Sequence, residues 1–249
     1  MGRSEIKAFE FELFKDYADL FCAVFSRAGG VSSLCFDSLN VGLNSGDEPL
    51  AVAENRRRIL ARTGTEQAVF LNQVHGTKIH VFTGENPQIP IVADGVVTDR
   101  QGVALMVQVA DCQGVLLFDP QKKVIANVHS GWRGSVHNII GNCIDVMVTR
   151  FQCDPVHIRA GISPSLGPCC AEFVNYKDEI PEYLWPYKLP DGPYFDFWKI
   201  SRDQLMEKGV KQENIETMNI CTHCSTDTFF SYRREKKTGR FACVISLKN

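Results

Sequence analysis

The stretch between Val103 and Phe151 constrains the fold of this chain more than any other part of it. It opens with three short apolar runs, bounded by glycine or by polar turns: Val103–Val109, Val115–Phe118 and Val124–Val128. Runs of Val, Leu and Ile that do not alternate with polar residues are typical of strands buried on both faces. Apolar residues then recur at helical spacing as far as Phe151, which predicts a helix with Ser135 as its N-cap. Strands that end in polar residues beside glycine turns indicate an α/β protein.

The composition narrows the class of protein further. A chain of 249 residues fits one large α/β domain or two small ones. Its net charge is −2 and it has no basic block, so nothing indicates binding to nucleic acid or to an anionic membrane. It has no apolar run of about eighteen residues, and its first residues are too charged for a signal peptide. Ten cysteines without a secretory signal favour a reducing compartment, and we expect the cytoplasm.

Other elements are predicted on both sides of this stretch. Helices are expected from Pro49 to about Arg62 and over Phe197–Lys208. Two hairpins are expected from paired apolar runs, one joining Val69–His75 to Lys78–Phe82 and the other joining Phe229–Arg234 to Arg240–Leu247.

Three residues stand out because each ends an apolar run beside a glycine or a polar turn: His75, Cys112 and His129. Two imidazoles and one thiolate are a good ligand set for Zn²⁺, and three protein ligands leave the fourth position open, as in catalytic sites. The three residues are too far apart in sequence to form a local motif. Buried histidines with satisfied hydrogen bonds and an inert buried cysteine would also fit the pattern.

The same residues allow two other interpretations. In a cysteine hydrolase, Cys112 would be the nucleophile, His129 the base, and Asp111 or another carboxylate the group that orients the base. A non-enzymatic protein would only store metal or act as a scaffold. Separately, Cys221 and Cys224 form a lone C-x2-C, which is a weak zinc signal because a structural site needs a second pair of ligands. Neither Cys153 nor the pair at 169 and 170 supplies one convincingly at the level of sequence.

The turn Ser130–Gly134 and the helix predicted after it suit an anion such as phosphate. The helix N-terminus would direct free N–H groups towards the strand end, with Arg133 beside it. Taken alone, this pattern favours a surface arginine in a glycine turn. Arg27 and Asn40 lie in loops whose residues suit substrate binding, and Arg56 is one of three consecutive arginines that cannot all face inward.

Short motifs are spread in order along almost the whole chain. They include S-R-A-G-G-V-S at Ser26–Ser32, S-L-N-V-G at Ser38–Gly42, N-R at Asn55-Arg56, N-Q-V-H-G at Asn72–Gly76, A-D-G at Ala93–Gly95, A-D-C at Ala110–Cys112, V-H-S-G-W-R-G at Val128–Gly134, G-P-C-C at Gly167–Cys170, C-T at Cys221-Thr222, F-S-Y-R-R at Phe230–Arg234 and T-G-R at Thr238–Arg240. The set resembles the laccase-domain proteins, also called the multicopper polyphenol oxidase or peptidoglycan editing factor family. The two motifs A-D-C and V-H-S-G-W-R-G are highly specific.

The resemblance implies a single domain over residues 1–249, of layered α/β type with a mixed sheet flanked by helices. It implies a zinc site at His75, Cys112 and His129, and phosphorolysis of adenosine, inosine, guanosine and methylthioadenosine together with deamination of adenosine. An older interpretation of the family is a copper-dependent laccase. A related proposal is a role in correcting peptidoglycan precursors, which would be the substrates of the cysteine hydrolase described above. With six histidines in total, the chain could hold a single copper ion but not a multicopper cluster.

These implications predict a small-molecule enzyme whose partners are a purine nucleoside and phosphate. In deamination, water activated at the metal would attack C6 of adenine, with Asp111 as proton carrier. In phosphorolysis, we expect Arg133, Arg56 and the helix N-terminus near Ser135 to hold phosphate. Asn40 and Arg27 are expected to contact the nucleoside.

Overall fold

Strands and helices occupy similar shares of the structure, a computed structural model that describes residues 5–84 and 90–248. In these ranges twelve strands form two six-stranded sheets. The strands are β1 (Ala8–Glu10), β2 (Leu20–Phe25), β3 (Gln67–Asn72), β4 (Ile79–Val81), β5 (Ile91–Val92), β6 (Gly95–Thr98), β7 (Val103–Val109), β8 (Gln113–Asp119), β9 (Val124–Ser130), β10 (Arg159–Ile162), β11 (Ile215–Thr217) and β12 (Phe241–Leu247). The helices are α1 (Pro49–Thr63), α2 (Trp132–Val136), α3 (Ile139–Phe151), α4 (Tyr176–Glu179), α5 (Phe197–Glu207) and α6 (Tyr232–Glu235), and short 3-10 turns occupy several connections.

Both sheets mix parallel and antiparallel pairs. The first has the order β1-β2-β12-β7-β3-β5, and β3 runs parallel to both of its neighbours. The second has the order β11-β10-β8-β9-β6-β4, and its parallel pairs lie at its two edges. The prediction of a layered α/β fold with mixed strands flanked by helices is confirmed, with two sheets rather than one.

The two sheets pack face to face and carry helices on their outer surfaces. The apolar layer between them includes Leu105 and Ile245 from the first sheet and Leu116 and Ile125 from the second. Ile59 of α1 covers the outer face of the first sheet, while α3 and α5 cover the second. Because the central strands are covered on both sides, β7, β8 and β9 have continuous apolar sequences, as predicted.

A polar side chain, Asn127 of β9, connects the two sheets near their centre. It is fully buried, and its Nδ2 donates to the carbonyl oxygens of Leu105 in β7 and Cys243 in β12, each at 2.9 Å. Leaving a buried donor without a partner costs about 1–3 kcal/mol, so these bonds favour one alignment of the sheets. His129 lies two residues further along β9 and therefore on the same face of the strand.

Neither predicted hairpin forms. Val81 and its neighbours in β4 pair in parallel with β6 of the second sheet, whereas β3 pairs with β7 of the first. In the C-terminal region, residues 232–235 form α6, and β12 pairs with β2 and β7 instead. Local alternation identified the apolar segments, but the partners of the strands are set by long-range packing.

The helix predicted to begin at Ser135 begins earlier and is interrupted. α2 starts at Trp132 and buries Ser135 within it. Asn138 then adopts a left-handed conformation, with φ of 52°, and its side chain accepts a hydrogen bond from the Gly141 N–H at 2.9 Å, so it caps α3. By contrast, α1 and α5 match their predicted ranges to within a residue or so. Within the described ranges, no helix combines the length and the apolar character needed to cross a membrane.

Candidate active site

The three predicted metal ligands converge at one end of the two sheets. Cys112 lies in the short connection from β7 to β8, which passes from the first sheet to the second. His129 is near the end of β9, and His75 lies in the turn that follows β3. Both sheets therefore contribute to the site, and each ligand occupies a strand end as predicted.

The geometry of these three side chains suits one shared cation. Cys112 Sγ lies 3.8 Å from His75 Nε2, and the two imidazole rings stand edge to face with centroids 4.7 Å apart. One potential ligand atom from each residue lies within 4.8 Å of the other two. Nitrogen and sulfur ligands of tetrahedral Zn²⁺ stand roughly 3.3–3.8 Å from one another, so small side-chain movements would complete the set.

Gly131 provides the space beside the ligands. A Cβ atom at this position would stand 2.8 Å from His75 Cδ2 and 3.0 Å from Cys112 Sγ. Both distances are too short for ordinary contact, so any side chain here would displace two of the three ligands. The backbone of Gly131 thus leaves the room that a cation and its ligands require, and the donor set fits a metal such as zinc or copper.

A buried carboxylate, Asp94, orients the site. Its Oδ1 lies 2.8 Å from His129 Nδ1, and the same carboxylate accepts hydrogen bonds from the backbone N–H groups of Val74, His75 and Gly76 at 2.8–3.2 Å. The contact with Nδ1 assigns the proton of a neutral His129 to that nitrogen and leaves Nε2 available to a metal. The backbone contacts hold the turn that carries His75.

The His75 turn is held from a second direction by Gln73. Its amide side chain exchanges two hydrogen bonds with the backbone of Gln108 in β7, at 2.8 and 2.9 Å. His75 itself has φ of 58°, a conformation that is uncommon for residues other than glycine. The surrounding contacts therefore stabilise an unfavourable backbone conformation at a ligand residue.

In the metal-free protein, the ligands shift one another's protonation. Burial opposes charge on Cys112, but His129 and His75 outweigh it and lower the pKa of the thiol to about 6. Burial also opposes charge on His129, but Cys112 and Asp94 raise the pKa of this imidazole to about 9. Each partner of this pair therefore favours the charged form of the other. A thiolate is the form that binds metal or acts as a nucleophile.

Asp111 is held by the C-terminal part of the chain. Its carboxylate accepts hydrogen bonds from the hydroxyl groups of Thr222 and Ser231, each at 2.7 Å, and from the backbone N–H of Arg233. Its own φ is 84°, so the chain turns sharply just before Cys112. Asp111 thus joins the loop that carries the thiolate to the start of α6.

The three ligands line a cavity of about 630 Å³, a size typical of small-molecule sites. One group of lining residues is aromatic and comprises Trp132, Phe173, Phe197 and Tyr232, and another is cationic and comprises Arg133, Arg233 and Arg240. Arg240 is largely buried, which lowers its pKa, while the negative charges of Cys112 and Asp111 oppose this shift. The cavity therefore combines a metal-ligand set with apolar rings and positive charge.

Three residues predicted to bind substrate are not among the residues that line this cavity. Asn40 is fully buried. Its side chain donates hydrogen bonds to Ser45 and Asp47 and accepts them from the N–H groups of Gly42 and Arg240, so it fixes the conformation of its own loop. Arg27 donates to two backbone carbonyls and pairs with Glu235.

Arg56 is the third such residue, and it lies behind the cavity rather than in its lining. Its Nε donates to the Val41 carbonyl and its guanidinium stacks on Phe70 at 4.2 Å. Burial lowers the pKa of Arg56 to about 10, which leaves it charged at neutral pH. Arg133, by contrast, lines the cavity together with Gly131 and Trp132, so the N-terminus of α2 lies at the cavity, although this helix begins before Ser135.

Sequence reasoning did not single out Asp94 or Arg240, and it expected only that one of the consecutive arginines Arg233 and Arg234 would face a pocket. Asp94 had a signal in the motif A-D-G, but its role depends on the pairing of β6 with β9, which brings Gly95 opposite Val128. Arg233 and Arg240 belong to the motifs F-S-Y-R-R and T-G-R, and only the tertiary structure shows that they reach the cavity.

Known proteins with similar sequences define the class to which this chain belongs. The profile of the family described as multi-copper polyphenol oxidoreductase laccase matches residues 21–248. The purine nucleoside phosphorylase YlmD of Geobacillus stearothermophilus is 32% identical over 252 residues, covering 92% of this chain and 90% of that protein. The purine nucleoside phosphorylase YfiH of Escherichia coli is 34% identical over 232 residues, covering 89% and 91%. The chain belongs to this laccase-domain family, which confirms the resemblance found in its motifs.

Solved structures of related proteins share the fold. The Bacillus licheniformis hypothetical protein YfiH superposes with a TM-score of 0.89 at 28% identity, over 98% of this chain and 99% of that one. YlmD of Geobacillus stearothermophilus superposes with a TM-score of 0.84 at 31% identity, over 94% of each chain. The two packed mixed sheets are therefore the architecture of the family.

Proposed function

We propose that this chain is a metal-dependent purine nucleoside phosphorylase that also deaminates adenosine. The observation that carries the proposal is the cavity in which a His-Cys-His ligand set, aromatic rings and three arginines meet. The substrates we propose are adenosine, inosine, guanosine and methylthioadenosine, and relatives that are named purine nucleoside phosphorylases support this class. All ten cysteines are free thiols, which agrees with a reducing compartment, and we propose the cytoplasm.

His75, Cys112 and His129 would hold the metal, for which zinc is our proposal. Bound there, zinc would act as a Lewis acid towards an atom of the substrate. Copper is the alternative that the family description suggests, and two imidazoles with a thiolate could hold one copper ion. A multicopper centre would need more histidines, and among the described residues only one converging ligand group contains histidine.

The arginines of the cavity would bind phosphate. Arg133 is exposed and its guanidinium stacks on Trp132 at 4.8 Å, while Arg233 and Arg240 use one nitrogen each for backbone carbonyls. Their remaining N–H groups can donate to phosphate oxygens, and guanidinium groups suit that geometry. A phosphate oxygen would form a bond to C1′ as the bond from C1′ to the purine nitrogen breaks. The products are ribose 1-phosphate and the purine, whose leaving nitrogen gains a proton.

The aromatic residues would bind the base. Phe173 contacts Trp132 and Phe197, with ring centroids 5.9 and 5.4 Å apart, and this group forms a continuous apolar wall. Purines stack on such rings without requiring a particular pattern of hydrogen bonds. The wall therefore supports a range of purine nucleosides rather than a single one.

Asp111 was assigned by sequence reasoning to proton transfer in deamination. Because its carboxylate already accepts three hydrogen bonds, we now propose that it positions Arg233 and the Cys112 loop. Deamination at the same site remains part of the proposal, since all three ligands line the cavity and catalytic zinc sites keep one position open.

A cysteine hydrolase is the second candidate function. The observation in its favour concerns the thiol of Cys112. Burial raises the pKa of this thiol, but His129 and His75 together outweigh burial and lower the pKa to about 6. Asp94 rather than Asp111 would orient the base, because it is Asp94 that contacts His129. This function requires a site that works without metal.

The decisive experiment incubates purified protein with adenosine, with and without phosphate. Phosphate-dependent release of adenine and ribose 1-phosphate would support phosphorolysis, and phosphate-independent inosine would support deamination. We expect His129→Ala to lower both rates by at least about 100-fold, because a metal contributes several kcal/mol to catalysis.

The matched control is His137→Ala, which changes an exposed histidine just after α2 and should leave both rates unchanged. Full activity of the His129→Ala protein, or of protein without bound metal, would contradict the metal-dependent mechanism. A hydrolase that works without metal would retain its activity after chelation.

A further inference from the structure

A second group of potential metal ligands lies outside the nucleoside cavity described above. The sulfur atoms of Cys169, Cys170, Cys221 and Cys224 all lie within 4.8 Å of one another. Sequence reasoning found only the C-x2-C half of this group, because the other half comes from a loop about fifty residues earlier. In the structure, Cys169 and Cys170 supply the second pair of ligands, which the sequence alone did not show convincingly.

Two parallel strands bring the halves together. β10 and β11 pair in parallel, so the loops that follow them leave the same edge of the second sheet. Ser165 continues this pairing, because its N–H donates to the Ile220 carbonyl at 3.1 Å and its carbonyl accepts from the Thr222 N–H at 3.0 Å. The backbone therefore fixes the distance between the loops before any sulfur contact is made.

The sulfur distances match those of a tetrathiolate site. Cys224 Sγ lies 3.5 Å from Cys170 Sγ and 3.9 Å from Cys169 Sγ. Four thiolates bound to Zn²⁺ stand roughly 3.8 Å from one another, whereas bonded sulfurs of a disulfide are about 2 Å apart. In addition, the backbone N–H of Gly167 donates to Cys221 Sγ at 3.3 Å, a contact that favours the thiolate form.

We propose that Cys169, Cys170, Cys221 and Cys224 bind a structural Zn²⁺ ion, separate from the metal of the nucleoside site. Four sulfur ligands complete the coordination of zinc and leave no position for substrate, which is the pattern of structural rather than catalytic sites. Zinc would replace the thiol protons and release them to solvent. Of the six remaining cysteines, Cys112 belongs to the nucleoside site, Cys35 lies outside both groups, and Cys22, Cys143, Cys153 and Cys243 are buried apart from this group.

The position of the cluster indicates what the ion would stabilise. The Cys170 loop supplies the carbonyl of Glu172 to the guanidinium of Arg233 at 2.9 Å, and Thr222 next to Cys221 donates to Asp111 at 2.7 Å. Both loops therefore hold residues at the rim of the cavity. A zinc ion between them would fix the rim without contacting the substrate.

Metal analysis tests the proposal independently of any enzyme assay. Protein purified under reducing conditions should contain about two zinc ions per chain, and both Cys224→Ser and His129→Ala should contain about one. X-ray absorption of the His129→Ala protein should show sulfur ligands only. Loss of all zinc from His129→Ala, or unchanged zinc in Cys224→Ser, would overturn the proposal.

Two further measurements keep the test independent of folding defects. Cobalt loaded into the His129→Ala protein should give the visible spectrum of a tetrathiolate site, and its absence would count against the site. Cys224→Ser should lower the Tm by roughly 5 °C or more, whereas Cys35→Ser, which changes a thiol outside both clusters, should not. A native disulfide within the four cysteines, found by mass spectrometry under the same conditions, would also overturn the proposal.

Discussion

Oδ1 of Asp94 lies 2.8 Å from Nδ1 of His129, and both side chains are buried. The same carboxylate holds the backbone of the His75 turn, so one side chain positions two of the three ligands. The carboxylate also has a lowered pKa: burial opposes its charge, but His129 and the N–H groups of the turn outweigh that effect. Asp94 is therefore ionised whenever the site is able to bind metal.

The first prediction concerns Asp94→Asn. The amide keeps the size of the side chain but offers neither the charge nor the paired acceptors that fix His129 and the His75 turn. We expect metal affinity to fall by about 10- to 100-fold, as is usual when a partner of a metal-bound histidine is removed. Competition with a coloured chelator measures the affinity, and Asp99→Asn, a change at a half-exposed carboxylate, is the control. Equal affinities of the two variants would contradict this role.

The second prediction concerns Gly131→Ala, which alters no ligand. The added methyl group would stand 2.8 Å from His75 and 3.0 Å from Cys112, so the ligands must separate. We expect at least about a tenfold loss of metal affinity with little change in far-UV circular dichroism. Gly76→Ala is the matched control, because its Cβ would approach nothing closer than 3.5 Å. If both variants retain metal equally well, the space beside Gly131 is not what the site requires.

The third prediction concerns phosphate binding. Arg240→Lys keeps the positive charge but loses the planar group that can donate two parallel hydrogen bonds, so the KM for phosphate should rise by about tenfold. The KM for the nucleoside should change much less. Arg234→Lys is the control, because Arg234 is exposed and does not line the cavity. If the KM for the nucleoside rises more than the KM for phosphate, Arg240 binds the nucleoside and the prediction is wrong.

The fourth prediction concerns acid stability. Burial raises the pKa of Glu235, but Thr238, Arg27 and the Ser231 N–H outweigh this effect and lower it below the usual 4.5. A group whose pKa is lower in the folded state stabilises the protein above its unfolded pKa, and this contribution is lost as pH falls through the folded pKa. Glu235→Gln should therefore cost about 1 kcal/mol at pH 7, and this cost should shrink as the pH falls below 4.5 and through the lower pKa of the folded state.

Urea unfolding at several pH values measures this difference. The control is Glu207→Gln, at the exposed last residue of α5, which should not change the free energy of unfolding at any of these pH values. A Glu235→Gln penalty that persists unchanged in acid would show that the side chain acts through its shape rather than its charge.

Sequence reasoning succeeded where the signal was local. Strand ends beside glycine turns identified His75, Cys112 and His129, and continuous apolar runs identified the buried strands β7, β8 and β9. Motifs identified the family, which the comparisons confirm. These features depend on a few neighbouring residues, and a single sequence shows them directly.

The sequence was less informative where the surroundings of a residue depend on distant partners. Arg27 and Asn40 were expected to face a substrate, but each has its hydrogen-bonding groups engaged within the protein, by Glu235 and Arg240 among others. Arg56 is likewise bound to a backbone carbonyl of the preceding loop. The cysteine cluster was not predicted for the same reason. No local sequence pattern shows that two loops about fifty residues apart follow adjacent parallel strands.

The amide of Asn127 links the interior of the fold to the chemistry at its edge. Its two hydrogen bonds reach a carbonyl of β7 and a carbonyl of β12, so one side chain of the second sheet is tied to two strands of the first. His129 lies two residues further along the same strand, whereas His75 follows a strand of the first sheet. The alignment of the two sheets thus sets how far apart these two imidazoles lie at the candidate metal site.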